Sequence, residues 1–394
     1  MKEGWEYKRL KDVATFTRGL TYSKNDEAEI SNNIVLRSNN VDLSTGKLNF
    51  DELKYLRPEF SIPEEKKVKK GSLLMCMSNG SKIHLGKVAL INEDYPYAFG
   101  GFMALVTPSE ELNPQFFHYS LSSPEYKDFI KKLSEGANIN NIKVKELELF
   151  TIPIPPLSEQ QSIVDYLDSA FAKIDAMKAN AEKRLNEAKA LFQASLKEML
   201  EPKEGWEEKY LKDIAQYSIG LTYKPTNVCN DGTIVLRSSN IQEGKLDLKD
   251  IVRVNANIKE DLYVRTGDIL MCSRNGSARL VGKVCIIPEI KEKMTYGTFM
   301  MIIRSAYNPL LYHYFDTGLF RSQIKHGEAN MINQITRYML DEVKLNLPPV
   351  TEQQSIIATL DSLKSKVDRL QANYEKISQE CDALKQAILR QVFE

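Results

Sequence analysis

The residues of this chain best suited to chemistry are polar, flanked by glycine and present twice. SNGSKIHLGK at 78–87 and SRNGSARLVGK at 273–283 each follow a short apolar run. Glycine lets backbone come close to a phosphate, while amides, hydroxyls and basic side chains can bridge phosphates and base edges. The candidates are Ser78, Asn79, Ser81, Lys82 and Lys87 in the first loop, and Arg274, Asn275, Ser277, Arg279 and Lys283 in the second. A second pair of segments, ANINNIK at 137–143 and ANMINQITR at 329–337, is rich in amides where a structural segment would be apolar. Asn140, Asn141, Asn333 and Gln334 suit bidentate pairing with adenine. A third pair, RSNN at 37–40 and RSSN at 237–240, closes a strand-like run, so Arg37 and Arg237 could hold phosphate with Asn40 and Asn240 beside them. Ordinary turns and helix caps are the competing reading of these segments, and the EEKKVKK run at 64–70 reads as solvated surface. Recurrence favours binding. Frame residues agree between the copies, whereas Lys82, Ile83 and His84 are replaced by Ala278, Arg279 and Leu280.

Catalytic patterns are missing by comparison. No GxxxxGK[ST] loop occurs, and His84, His118, His313 and His326 have no metal-ligand spacing. NPQF at 113–116 only distantly matches the Asn-Pro-Pro-aromatic clamp of amino-methyltransferases. It lacks the second proline, its copy is NPLL, and both read as helix starts. His118 and His313 fall in the equivalent stretches NPQFFHY and NPLLYHY and read as structural. A binding protein that holds no cofactor of its own is expected.

What must position these loops is itself duplicated. EGWEYKRLKDVATFTRGLTY at 3–22 returns as EGWEEKYLKDIAQYSIGLTY at 204–223, identical at thirteen of twenty positions. IVLRSNN, LLMCMSNGSKIHLGKV and PPLSEQQSIVDYLD return in order as IVLRSSN, ILMCSRNGSARLVGKV and PPVTEQQSIIATLD. A long-period repeat governs every other assignment, and two units suit a pseudo-twofold molecule rather than a solenoid. Each unit opens with short strand-like runs, among them 34–37, 73–77, 87–91 and 102–106, interleaved with short helices near 113–121 and 124–133. That pattern predicts a mixed α/β globule. A long helix follows each globule, starting after Pro155-Pro156 and Pro348-Pro349, with Ser158 and Gln161, and Thr351 and Gln354, placed as capping boxes. Apolar residues then recur every three or four positions. Val164, Leu167, Phe171, Ile174, Ala181, Leu185, Ala188, Phe192 and Met199 form one row, broken at Lys178 and Ser195. Ile356, Leu360, Leu363, Val367, Leu370, Tyr374, Ile377, Cys381, Leu384 and Ile388 form an unbroken second. Such heptads predict a coiled coil, most simply an antiparallel pair of the two helices, each about 60–65 Å long. The expected architecture is α+β: mixed α/β domains at 1–156 and 203–349, with helical regions at 157–202 and 350–394.

Composition sets bounds on partners. Lys and Arg total 53 against 53 Asp and Glu, so a nucleic-acid reading must rest on local basic surface rather than on net charge. The five cysteines never form a CxxC pair, and Cys76 and Cys272 sit inside apolar runs, which predicts buried free thiols. With no signal peptide and no run of about 18 apolar residues, a soluble cytoplasmic protein without membrane contact is expected.

Taken together, the duplicated order of EGWE, LKDVA or LKDIA, and PPLSEQQ or PPVTEQQ, each followed by a long amphipathic helix, closely resembles the specificity (S) subunits of type I restriction-modification systems. The resemblance covers the whole chain. It implies two target-recognition domains, each reading one half of a bipartite site in double-stranded DNA, and helices that space the domains and dock two methyltransferase subunits. Restriction subunits would complete the nuclease; S-adenosylmethionine, Mg and ATP would belong to those partners, leaving this chain non-catalytic. Two readers one helical turn apart, about 34–36 Å, could share one face of a duplex. The different loop contents predict unlike half-sites. Two rival readings remain at this level: a duplicated scaffold that binds protein without reading DNA, and an autonomous methyltransferase or nuclease, which the missing motifs oppose.

Overall fold

The computed structural model describes residues 4–135, 141–324 and 334–394, and falls into two compact units: 1–181 with 375–394, and 182–374. Each is built on the same plan. In the first unit a four-stranded antiparallel sheet runs in the order Ala14–Arg18, Met103–Pro108, Leu73–Cys76, Val88–Leu90. A second sheet has the order Glu27–Ala28, Lys54–Leu56, Asn33–Leu36, Ala98–Phe99, its last pair parallel. The strands Glu6–Arg9 and Thr151–Ile154 form a separate antiparallel pair that joins the two ends of the globule. The second unit repeats all three sheets with Gln216–Ile219, Met300–Arg304, Ile269–Cys272 and Val284–Ile286 in the first of them.

The continuous apolar runs LLMC and ILMC mark the strands that lie in the middle. Successive side chains of a strand point to opposite faces, so a strand covered on both sides is apolar throughout. Leu73 and Met75 enter the core shared with the helices, whereas Leu74 and Cys76 enter the core under the second sheet. Ile269 and Met271 divide from Leu270 and Cys272 in the same way. Cys76, Cys272, Cys285 and Cys381 are buried free thiols, and Cys229 is half-buried and free; burial raises the pKa of Cys76, Cys272 and Cys285.

The recurring GLTY segment, at 19–22 and 220–223, has a packing cause. Leu20 donates to the Phe99 carbonyl and Leu221 to the Tyr296 carbonyl, each at 2.7 Å. A Cβ on Gly19 would strike the Gly100 carbonyl, and one on Gly220 the carbonyls of Tyr296 and Gly297. Glycine permits the approach.

The long helices are Leu157–Met199 and Val350–Phe393. In the first unit their segments run antiparallel: Lys385 pairs with Asp175 and Lys178 with Asp382. In the second unit Lys189 donates to Gln371 at 2.7 Å. Two expectations are corrected here. Both helices begin one residue before Ser158 and Thr351, so neither residue occupies the N-cap. Instead the Gln160 amide turns back to the Pro155 carbonyl at 2.8 Å, and Gln353 to the Pro348 carbonyl at 2.7 Å. The apolar row also shifts. Leu384 and Leu370 stand exposed, whereas Leu196, Leu200, Leu389 and Phe393 are buried. Near its ends each helix packs on a globular core rather than only along its partner, so the buried face rotates away from the strict heptad.

The other repeat signatures meet at the helix starts. Trp5 Nε1 donates to Glu159 and Trp206 Nε1 to Glu352, both at 2.9 Å, which ties each EGW opening to its SEQQ or TEQQ helix. The NPQF segment starts the helix Pro114–Ser120, with the Asn113 side chain accepting from the Gln115 and Phe116 amides. NPLL also starts a helix, Asn308–Tyr314, yet the Asn308 amide is spent on the Gly267 and Ile303 carbonyls instead of a cap. His118 and His313 are buried, the latter 2.8 Å from Asp361 Oδ1. His326 lies outside the described residues.

Candidate nucleic-acid interface

The three candidate segments, far apart in sequence, converge in each unit. Strand Leu73–Cys76 leads into the loop, and the loop closes where Gly86 N–H donates to the Cys76 carbonyl at 2.8 Å. Gly86 has φ +71°, a left-handed conformation that glycine adopts without strain. Gly282, at φ +82°, closes the second loop on Cys272 with the same distance. Beside the loop, Ser78 forms a bridge with Asn141, anchored by Ile142 N–H to the Met77 carbonyl at 2.8 Å. Arg274 and Gln334 form the matching bridge, with Ile335 N–H on the Ser273 carbonyl at 2.7 Å. The third segment is joined by amides: Asn79 Nδ2 donates to Ser38 Oγ at 2.8 Å, and Asn275 Nδ2 to Ser238 Oγ at 3.1 Å. Each unit therefore gathers a basic turn, a glycine hairpin and an amide-bearing strand end into one site.

Within that frame the predicted residues divide by accessibility. Asn40 and Asn240 are buried, their amides saturated: Oδ1 accepts from the Arg37 or Arg237 amide, and Nδ2 donates to carbonyls of Asn49 and Glu52, or Asp247 and Asp250. Both side chains are spent on the turn, which they shape. Lys87 and Lys283 are half-buried and donate to the Val41 and Ile241 carbonyls at 2.7 Å, and burial lowers both ammonium pKa values. They too hold the frame. Asn79 and Asn275 brace the loop twice, since their Oδ1 atoms accept from Ser81 and Ser277 amides.

The exposed set differs between copies. In the first unit Lys82 bends to the Ser134 carbonyl at 3.0 Å, leaving Ile83, 68% exposed, at the loop tip. In the second, Arg279 occupies the position of Ile83 and is exposed, as is Arg274. Arg237 pairs with Asp250 at 2.9 Å. The matching acid in the first unit, Glu52, is engaged by Asn39, so among the described residues no carboxylate pairs with Arg37. Ser81, Ser277, Asn141 and Gln334 are exposed. Asn140 and Asn333 lie outside the described residues. Phe102 and Phe299, exposed beside these loops, were not singled out from sequence, because an aromatic next to a strand-like run reads as core. Among the described residues no group of His, Cys, Asp and Glu could hold a metal ion, and no helix is long and apolar enough to cross a membrane.

A duplicated α/β reader with paired loops, each carried on its own piece of a long helix pair, defines a class of DNA-specificity proteins, and sequence comparison agrees. The profile of the type I restriction modification DNA specificity domain matches residues 2–187 and again 203–379, and the chain belongs to that family. The EcoKI specificity subunit of Escherichia coli (strain K12) is 28% identical over all of this chain and 89% of its own length. The StySPI specificity subunit of Salmonella potsdam is 25% identical, with the same coverage. A solved chain described in work on complex assembly and conformational transition of the type I R-M system shares the fold, with a TM-score of 0.76 at 18% identity over 100% of this chain and 98% of that one. The HsdS subunit from Thermoanaerobacter tengcongensis gives 0.52 at 19% identity, covering 100% and 97%.

Proposed function

We propose that this specificity subunit reads a bipartite, asymmetric DNA site, one half with each unit, through the loops at 78–87 and 273–283 and the neighbouring Asn141 and Gln334. The observation that carries the reading is the pairing of an identical frame with different exposed side chains. Asn79 and Asn275, Lys87 and Lys283, and Gly86 and Gly282 do the same structural work in both units, while Ile83 faces solvent where Arg279 does in the other copy. Arginine suits the guanine O6 and N7 edge, and an apolar side chain suits the thymine methyl. The half-sites are therefore unlike. Methylation, ATP hydrolysis and cleavage belong to methyltransferase and restriction subunits, with S-adenosylmethionine, Mg and ATP bound there. The long helices dock two methyltransferase subunits and set the half-site spacing; their exposed Tyr166, Met177, Leu191 and Leu384 supply apolar docking surface.

Single-molecule methylome sequencing of host DNA, with and without the gene, tests this reading. A two-part motif should vanish with the gene. Exchanging residues 78–87 for 274–283 should turn the first half-site towards the second. An unchanged motif in the exchanged strain refutes the assignment of reading to these loops.

A further inference from the structure

The rings of Phe102 and Phe299 are 73% and 54% exposed. A single exposed aromatic needs no explanation. Here the same ring stands at the same anchored place in both units. Each is third in a four-residue turn, closed by Met103 N–H to the Gly100 carbonyl and Met300 N–H to the Gly297 carbonyl at 2.8 Å. The Phe102 carbonyl accepts from the Met77 and Ser78 amides, and the Phe299 carbonyl from those of Ser273 and Arg274. On the other side Gly100 donates to Leu36 and Gly297 to Leu236, one residue before Arg37 and Arg237. The rings thus stand between the basic turn and the glycine loop, on backbone pinned to both. Their surroundings differ. The Arg274 guanidinium lies 5.4 Å from the Phe299 centroid, whereas Ser78 takes the position of Arg274 beside Phe102, and among the described residues no cation covers that ring.

We infer that both rings are DNA-contacting elements with different duties, an inference that rests on the recognition reading above. Phe102 presents bare apolar surface to the duplex, against a thymine methyl or an opened base step. Phe299 is a platform that holds the Arg274 guanidinium flat, reducing the freedom that arginine loses on pairing with a base or phosphate. Duplex DNA is the occupant favoured over a protein surface because Phe299 is fastened by backbone hydrogen bonds to the loop that carries Arg274 and Arg279, and Phe102 to the matching loop that carries Lys82.

The test uses the full chain assembled with its methyltransferase subunits and a duplex carrying the site defined by methylome sequencing, with a scrambled duplex as control. Fluorescence anisotropy is read over a range of salt concentrations. Phe102→Ala should bind the site roughly tenfold more weakly, with an unchanged slope against log salt, because no charge is removed; Phe102→Leu should recover part of the loss. Phe299→Ala should also weaken binding, and combining it with Arg274→Ala should add little to Arg274→Ala alone. Wild-type affinity in Phe102→Ala overturns the first duty, and additive losses in the double variant overturn the second. Loss of methyltransferase assembly in size-exclusion chromatography would assign the rings to a protein contact and overturn both. Wild-type complex that ignores the site duplex would instead refute the recognition reading, a failure visible before any variant is made.

Discussion

Replacing Gln160 with alanine should strip the first unit of a hub its second copy lacks. Gln160 is fully buried, 0% exposed, and its amide serves three backbone groups: Nε2 donates to the Pro155 and Glu111 carbonyls at 2.8 and 2.9 Å, and Oε1 accepts from the Asn113 amide at 2.8 Å. Those bonds tie the helix start to the turn that starts the helix Pro114–Ser120. Gln353, its equivalent, is half-buried and makes one such bond, to the Pro348 carbonyl. A buried polar group left unpaired costs about 1–3 kcal/mol. Three orphaned groups, allowing for partial rehydration, should cost on the order of 3–5 kcal/mol in Gln160→Ala, against about 1 kcal/mol in Gln353→Ala. At about 2–4 °C per kcal/mol for units of this size, the first unit should melt on the order of 10 °C lower. Differential scanning calorimetry of the wild type and both variants measures this directly. Gln160→Glu would set a buried carboxylate against the Pro155 and Glu111 carbonyls, and at neutral pH should cost at least as much as Gln160→Ala. If Gln160→Ala costs no more than Gln353→Ala, the hub reasoning is wrong.

Burial pushes the His118 pKa from its ordinary 6.5 down to about 4. Between those values the unfolded chain binds a proton that the folded unit refuses, so stability present above pH 6.5 should decline by about 3 kcal/mol as pH falls towards 4. Thermal melts against pH should show the decline, and His118→Gln should flatten it. Lys87→Met should leave the Val41 carbonyl unpaired and cost about 1–3 kcal/mol in urea unfolding, while the salt dependence of DNA binding stays unchanged; a shallower slope would make Lys87 a phosphate contact after all. Gly19→Ala should destabilise the first unit by about 1–3 kcal/mol, since its Cβ meets backbone that cannot swing aside; a neutral melt would show that this approach relaxes freely.

Much of the architecture was legible because it follows from local rules. Period-two and period-three-to-four patterning placed the strands and long helices, and the doubled prolines located the helix starts to within a residue. The capping boxes failed because a serine or threonine followed by glutamine three residues later fits the pattern without occupying the N-cap, and the glutamine side chains that fold back there donate to a carbonyl of the preceding chain rather than accept from the helix N–H groups. The site was half legible. Glycine and amide content identified the loops, but the bonds that gather them, such as Ile142 to Met77 and Asn79 to Ser38, join residues dozens of positions apart. Burial decided the rest. Asn40 and Lys87 carry the same functional groups as the exposed candidates, and only the carbonyls around them show that those groups are already used.

The first unit is discontinuous: its core takes Leu389 and Phe393 from the helix segment 375–394, with Phe393 packed on Phe116 at 5.3 Å between ring centroids. The second unit is one unbroken stretch, 182–374. Chains emerge from the ribosome at about 5–20 residues per second and fold as units where they can. The part made first therefore waits, its aromatic core open, while the part made second can close at once. Synthesis order and completion order are reversed, and the roughly 280 residues between Phe116 and Phe393 leave that aromatic core incomplete for about 15–55 s.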